Sequence, residues 1–100
     1  MLIKNKMSRY YRLVVIAKGI SEQQLLKICS EQFGWDGLSS HWSDEAYFDG
    51  NGSLYGGMSE QEAHSEIYAA LKQINPESKI KTQWTYLEEL PYEEYGDDID

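Results

Sequence analysis

Apolar residues change their spacing along the chain, and each change marks a new element of secondary structure. Residues 10–17 are β-branched and aromatic and stop before Gly19, which predicts a central strand. Apolar residues spaced four apart follow at Leu25, Cys29 and Phe33, as they would on the buried side of a helix. The first third of the chain is therefore predicted to form a strand followed by an amphipathic helix.

The last part of the chain repeats this pattern in the reverse order. A second helical stripe stops at Asn75-Pro76 and consists of Ala63, Ile67, Ala70, Leu71 and Ile74. Residues 79–87 then alternate between two faces, one of which carries Ile80, Thr82, Trp84 and Tyr86. This pattern predicts a second helix and a final strand.

Two shorter strands are predicted between the helices, within residues 38–48 and 53–55. The sequence Asp49-Gly50-Asn51-Gly52 separates them. Because Asp-Gly and Asn-Gly are the strongest short signals of a hairpin, we expect the chain to turn at these four residues.

A short repeat marks the start of both helices. Residues 19–24 (Gly-Ile-Ser-Glu-Gln-Gln) recur as residues 57–62 (Gly-Met-Ser-Glu-Gln-Glu). Ser21 and Ser59 are the predicted N-caps, and a glutamine or glutamate three residues later completes a capping box. The order βαββαβ predicts a ferredoxin-like α+β sandwich, in which two helices cover one face of a four-stranded antiparallel sheet. This plan places the first and last strands side by side.

Length and composition fit one domain. The 100 residues are 41% hydrophobic, which suffices for one core. The longest apolar run, residues 13–17, is much shorter than a bilayer requires, so we expect no membrane partner. The single cysteine, Cys29, lies on the apolar side of the first helix, which predicts a buried, inert thiol. We expect the protein to be cytoplasmic, where thiols stay reduced.

The net charge of −8 is concentrated near the C-terminal end. Residues 88–100 hold seven acids and no base, whereas the other 87 residues hold ten acids and nine bases. We therefore divide the chain into a domain over residues 1–87 and an acidic segment over residues 88–100. The first 18 residues hold five bases and no acid. Because the first and last strands are expected to be neighbours, this basic start is expected to lie near the acidic segment, and part of the segment's charge is expected to be neutralised within the molecule.

No motif in the sequence indicates catalysis, a metal or a nucleotide. The chain contains no P-loop, Gly-x-Gly-x-x-Gly or Gly-x-Ser-x-Gly pattern. His41 and His64 lack the spacing of a zinc site, and each is expected to be partly exposed. The densest polar cluster is formed by His41, Asp44, Glu45 and Asp49. We predict no catalytic residue, no metal and no cofactor, and we rank an enzyme built on this cluster last.

Thirteen aromatic residues, many of them on predicted strands, point to the sheet as a contact surface. RNA-recognition domains stack bases on such aromatic residues. They also need basic residues, and the pI near 4.6 argues against direct binding of nucleic acid. We expect about half of the rings to fill the core, and the remainder to contact another protein or a second copy from the open sheet face.

The acidic segment is the predicted binding site. Its acids alternate with apolar residues, so it can dock by its apolar side chains while it presents charge to a basic partner protein. The other interpretation is a solvated segment that aids solubility. The predicted partner-binding residues are Trp84, Tyr86, Glu88, Glu89, Tyr92, Glu93, Glu94, Tyr95, Asp97 and Asp98.

The chain resembles the small inhibitors of host defence that bacteriophages and mobile elements encode. These include anti-CRISPR and anti-restriction proteins. The resemblance lies in its small size, its acidity, the absence of a catalytic motif and an end rich in aromatic and acidic residues. The resemblance implies a non-enzymatic inhibitor, a monomer or homodimer, that binds a basic, nucleic-acid-binding protein in the host cytoplasm. The alternative function is a small-ligand-sensing or dimerising ferredoxin-like regulatory domain.

Overall fold

The structure is a computed structural model, and it describes residues 8–55, 58–87, 93–97 and 99. The elements, in chain order, are β1 (Ser8–Lys18), α1 (Glu22–Leu26), a π-helical stretch (Lys27–Gln32), β2 (Asp36–Trp42), β3 (Glu45–Tyr55), α2 (Glu60–Ile74), β4 (Lys79–Tyr86) and β5 (Glu93–Gly96). The strands form one antiparallel sheet in the order β2-β3-β1-β4-β5. The predicted α+β class is confirmed.

The sheet has five strands, so the predicted number of four is wrong. The additional strand, β5, pairs with residues 81–84 of β4 and comes from the acidic segment. Two apolar side chains explain why this segment docks. Tyr95 packs against the core, and Ile99 is only 5% exposed. The described part of the acidic segment therefore belongs to the same sheet as the preceding strands.

β1 lies in the centre of the sheet and separates its two faces. Leu13, Val15 and Ala17 are fully buried on the side that the helices cover. Arg12 and Val14 alternate with them and line a concavity on the opposite, open face. β1 and β4 are antiparallel neighbours, as the sequence predicts for the first and last strands.

Both predicted capping boxes are confirmed. The Ser21 hydroxyl accepts a hydrogen bond from the Gln24 N–H at 3.1 Å, and the Ser21 N–H donates to the Gln24 side chain at 3.0 Å. Ser59 and Glu62 form the same pair at 3.1 and 2.9 Å. Each helix begins where its serine satisfies free backbone donors.

The two helical segments pack against the same face of the sheet. Buried residues on them include Leu25, Cys29, Ile67 and Leu71, as predicted. Ile74, predicted to be buried, is 39% exposed because it lies in the last turn of α2. No helix in the described ranges is long and apolar enough to cross a membrane.

α1 continues as a π-helix and ends at a glycine. The Phe33 N–H donates to the Ile28 carbonyl, five residues earlier, at 3.1 Å. Gly34 then adopts a φ of 81°, which favours glycine and stops the helix. Cys29 is fully buried within this stretch. Burial raises the pKa of its thiol to about 12, so the inert thiol predicted from the sequence has a physical basis.

The predicted hairpin turn at residues 49–52 is wrong, because these residues lie inside β3. The chain turns earlier, at Ser43 and Asp44, between the paired residues of β2 and β3. Ser43 has a φ of 61°, as the first residue of a primed two-residue turn requires. A Cβ atom at Gly52 would lie 2.6 Å from Cε3 of Trp35. That glycine makes room for a core ring rather than for a turn.

Candidate functional site

Asp97 fixes the end of β5 to the body of the protein. Its carboxylate accepts the Ile80 N–H at 3.0 Å and the Tyr68 hydroxyl at 3.0 Å, and Lys72 Nζ lies 3.6 Å away. Burial alone would raise the pKa of Asp97. The hydrogen bonds from Ile80 and Tyr68 and the charge of Lys72 outweigh burial, so the pKa is lowered. Asp97 therefore acts as a structural anchor.

Glu94, the second residue of β5, is also paired within the molecule. Its carboxylate lies 3.5 Å from Lys81 Nζ and accepts a hydrogen bond from the Gln83 amide at 2.6 Å. Lys81 also donates to the Ile99 carbonyl at 3.2 Å. The charge of Glu94 and Asp97 is thus offset within the molecule, but by Lys81 of β4 and Lys72 of α2 rather than by the basic start of the chain.

His64 lies beneath β5 and is 6% exposed, so the prediction of a partly exposed histidine is wrong. Its Nδ1 atom is 2.8 Å from the Thr82 hydroxyl, which also accepts the Trp84 indole N–H at 2.8 Å. The rings of Tyr68 and Tyr95 lie 5.2 and 5.8 Å from its own. The sequence did contain a signal that His64 is buried. Position 64 is three residues before Ile67 and seven before Leu71, so His64 lies on the buried side of α2.

The environment of His64 favours the neutral imidazole. Burial lowers the pKa of His64, and the negative charge of Asp97 opposes this effect without cancelling it. Protonation would place a positive charge in the buried layer between α2, β4 and β5. Burial of His64 in this layer therefore opposes its protonation.

The structure does not gather the predicted partner-binding aromatic residues on an open surface. Trp84 is 1% exposed and belongs to the core, so it presents no surface to a partner. Tyr86 is half-buried, and its ring lies 5.2 Å from that of Tyr11 on the helix-covered side. Tyr95 is also half-buried. The predicted residues that lie outside the described ranges are Glu88, Glu89, Tyr92 and Asp98. Glu93 begins β5.

A different surface carries the most exposed large apolar side chains. Leu38 and Trp42 on β2 are 79% and 76% exposed. Both face away from the helices, because Ser39 between them bonds the α1 backbone at Glu22 (2.9 Å). β2 pairs with β3 on one side, and no described strand pairs with its other side. Sequence reasoning missed this surface, although Leu38 and Trp42 occupy alternate positions of an otherwise polar strand.

The rest of the open face carries both apolar and polar side chains. Tyr10, at one end of β1, is 51% exposed. A shallow concavity of about 430 Å³ lies between β2 and β4, and Arg12, Val14 and Tyr47 contribute to its lining. Arg12 binds Asp49 through two hydrogen bonds of 2.9 and 2.6 Å, and this pair lowers the pKa of Asp49. The open face therefore has a polar centre beside the apolar edge formed by Leu38 and Trp42.

The polar cluster singled out in the sequence divides between two places. His41, Asp44 and Glu45 line a cleft of about 610 Å³ near the start of α1, whereas Asp49 lies on the open face. The Nδ1 atom of His41 lies 2.7 Å from a carboxylate oxygen of Glu22. Within the described ranges, no three His, Cys, Asp or Glu side chains converge as metal ligands. Comparison of the chain with protein-family models, curated proteins and solved structures gives no match.

Replacing the anchor of β5 is expected to destabilise the fold. Asp97→Ala leaves the part-buried Ile80 N–H without its acceptor, so we expect the free energy of unfolding to fall by about 1–3 kcal/mol. Urea unfolding followed by tryptophan fluorescence measures this change. The matched control is Glu66→Ala, an exposed acid on α2 for which we expect a change within about 0.5 kcal/mol. Equal effects of the two substitutions would contradict the anchoring role.

His64 is expected to make stability depend on pH. An unfolded histidine titrates near pH 6.5, and the folded pKa of His64 is lower. Below about pH 6.5 this histidine binds a proton in the unfolded chain but stays neutral in the folded chain. The free energy of unfolding therefore falls as the pH falls toward the folded pKa. Urea unfolding between pH 8 and pH 5 is expected to show a shallower slope for His64→Gln than for the wild type. Equal slopes would exclude this role.

Proposed function

We propose that this chain is a non-catalytic module that binds another protein through the outer edge and open face of β2. The observation that carries the proposal is the exposure of Leu38 and Trp42, at 79% and 76%, on one side of an edge strand. Covering a large apolar side chain contributes about 1.5–3 kcal/mol. Tryptophan is also enriched among the residues that dominate binding energy at protein interfaces.

The charge around this edge supports a basic protein as the partner. Asp36 at the start of β2 and Asp44 in the following turn are exposed, and residues 36–45 contain no lysine or arginine. The whole chain carries −8. Nucleic acid would be repelled by this charge, whereas a basic protein surface would be attracted and oriented by it.

The acidic segment adds to the negative charge of the chain, and this charge supports a narrower form of the proposal. We propose that the partner is a nucleic-acid-binding defence protein of a host cell, which the chain inhibits in the cytoplasm by occupying a basic surface. The charge of residues 88–100 supports this role. Because Glu94 and Asp97 are paired with lysines, β2 rather than β5 provides the main contact in this proposal.

The scaffold that we propose is a ferredoxin-like unit formed by β1 to β4, with β5 added at the edge of β4. The order β2-β3-β1-β4 and the two helical segments on one face support this view. Domains of this kind also pair through their sheets. The open edge of β2 therefore supports a second candidate function, a regulatory domain that dimerises or senses a small ligand at the dimer interface.

Affinity capture with matched baits tests the proposed function. Wild-type chain and the variant Leu38→Ser/Trp42→Ser are immobilised and exposed to a lysate of the natural host cells at low and high salt. We expect the double variant to retain about tenfold less of a protein that the wild type captures, because two exposed apolar contacts are lost without a change in the core. Quantitative mass spectrometry measures the captured amounts.

Leu87→Ser is the control, because Leu87 is 45% exposed but lies beyond the end of β4. It is expected to capture the same protein as the wild type. Equal capture by the wild type and the Leu38→Ser/Trp42→Ser variant would show that β2 is not the contact surface.

A further inference from the structure

We infer that the partner supplies an extended, basic segment that joins the sheet as an additional strand along the outer edge of β2. In this arrangement Leu38 and Trp42 contact apolar side chains of the segment, and Asp36 and Asp44 contact basic residues at its two ends. This inference rests on the proposed function and names the partner chemistry that the same surface fits.

The edge of β2 has the properties of a strand that accepts another. β2 is seven residues long and pairs only with β3 within the described part of the chain. Natural edge strands are usually protected by lysine, proline, a bulge or short length. β2 contains no lysine and no proline, and its large apolar side chains are exposed. The opposite edge strand, β5, has only four residues.

The side-chain pattern of β2 defines what the added strand must carry. Leu38, Ser40 and Trp42 face the open side, because residues two apart in a strand share a face. Leu38 and Trp42 are four residues apart, so their Cα atoms are separated by roughly 13 Å along the strand. Apolar residues at positions i and i+4 of an added strand would lie directly opposite both, at the usual cross-strand spacing of about 5 Å.

The helix-covered side of β2 is already occupied by polar contacts with α1. The Ser39 hydroxyl donates to the Glu22 carbonyl at 2.9 Å, and His41 lies 2.7 Å from the Glu22 carboxylate. These contacts attach β2 to the start of α1. An added strand therefore gains its apolar contacts on the open side, next to Leu38 and Trp42.

Charge selects a basic segment. Asp36 begins β2 and shares the open face with Leu38 and Trp42, whereas Asp44 is exposed in the turn that follows Trp42. The nearest basic residues on β1 are engaged elsewhere: Arg12 with Asp49 at 2.6 Å, and Lys18 with Glu45 at 3.8 Å. A lysine or arginine at one end of the added strand would form a stabilising cross-strand pair with Asp36, and one at the other end would lie near the exposed carboxylate of Asp44.

The same charges disfavour a second copy of this chain. Two copies of β2 could pair about a two-fold axis at Ser40, which would place each Leu38 opposite Trp42 of the second copy. This register also brings each Asp36 close to the turn of the second copy that carries the exposed Asp44, at both ends of the contact. Like charges that are brought close together repel, and two chains of −8 also repel one another. A basic segment is therefore the favoured occupant.

A synthetic peptide with this pattern tests the inference on the full chain. The probe Lys-Ser-Val-Thr-Ser-Thr-Val-Ser-Lys carries lysine, valine, serine, valine and lysine on one face. Its two valines match the spacing of Leu38 and Trp42, and its two lysines would lie near Asp36 and near the turn that carries Asp44. Binding is followed by fluorescence, which reports on Trp42 because Trp35 and Trp84 are 5% and 1% exposed. We expect saturable binding that weakens with salt. The same peptide with glutamate in place of lysine is expected to bind at least about tenfold more weakly.

Two further comparisons separate charge from strand pairing. Asp36→Lys/Asp44→Lys is expected to weaken binding of the lysine probe by about tenfold or more, whereas the matched control Glu66→Lys/Glu77→Lys, which reverses two exposed acids outside β2, leaves it unchanged. N-methylation of the central residues of the probe is expected to abolish binding, because it removes the backbone donors that strand addition uses.

Each outcome supports or overturns the inference. Equal binding of the lysine and glutamate probes, or full binding of the N-methylated probe, overturns it. Self-association of the wild type that is lost in Leu38→Ser/Trp42→Ser, measured by analytical ultracentrifugation, overturns it in favour of a second copy. If capture from the lysate depends on Leu38 and Trp42 while neither charge reversal nor N-methylation matters, the proposed function stands and strand addition falls.

Discussion

The two-residue period of β1 is the constraint on which the rest of the structure depends. Leu13, Val15 and Ala17 are fully buried on one side of this central strand. A shift of one residue against β3 or β4 would turn this row to solvent, so the register of the whole sheet is specified. The same register, carried through β3 to the outermost strand, directs Leu38 and Trp42 to the open face.

The two edges of the sheet differ in how their side chains are paired and covered. At the β5 edge, Asp97 and Ile99 hold a short strand, and lysines offset the charges of Glu94 and Asp97. At the β2 edge, two large apolar side chains are exposed and no described strand covers them. An exposed apolar edge strand can pair with another chain, and the proposal that a partner covers this edge rests on that contrast.

The sequence predicted those features that depend on local chemistry. The caps at Ser21 and Ser59, both helices and β1 and β4 follow from short-range spacing, and all are present. The hairpin turn was placed wrongly because a glycine that makes room for Trp35 looks the same in sequence as one that permits a turn.

The proposed binding surface could be predicted only in part, because its position depends on long-range pairing. Negative charge and an open aromatic face pointed to a basic protein partner, and these remain the basis of the proposal. Trp84 was assigned to the site from its strand alone, yet β4 turns it into the core. Trp42 belongs to the proposed site because β2 is an edge strand. That position can be recognised only when the order of all five strands in the described sheet is known.

Hydrogen–deuterium exchange of the chain, alone and bound to the protein it captures, tests the central claim most directly. The account predicts that amides of residues 36–42 exchange more slowly in the complex, because strand addition satisfies backbone donors at the outer edge of β2. It also predicts little change in β5. Protection confined to residues 93–97, with exchange of residues 36–42 unaltered, would contradict it.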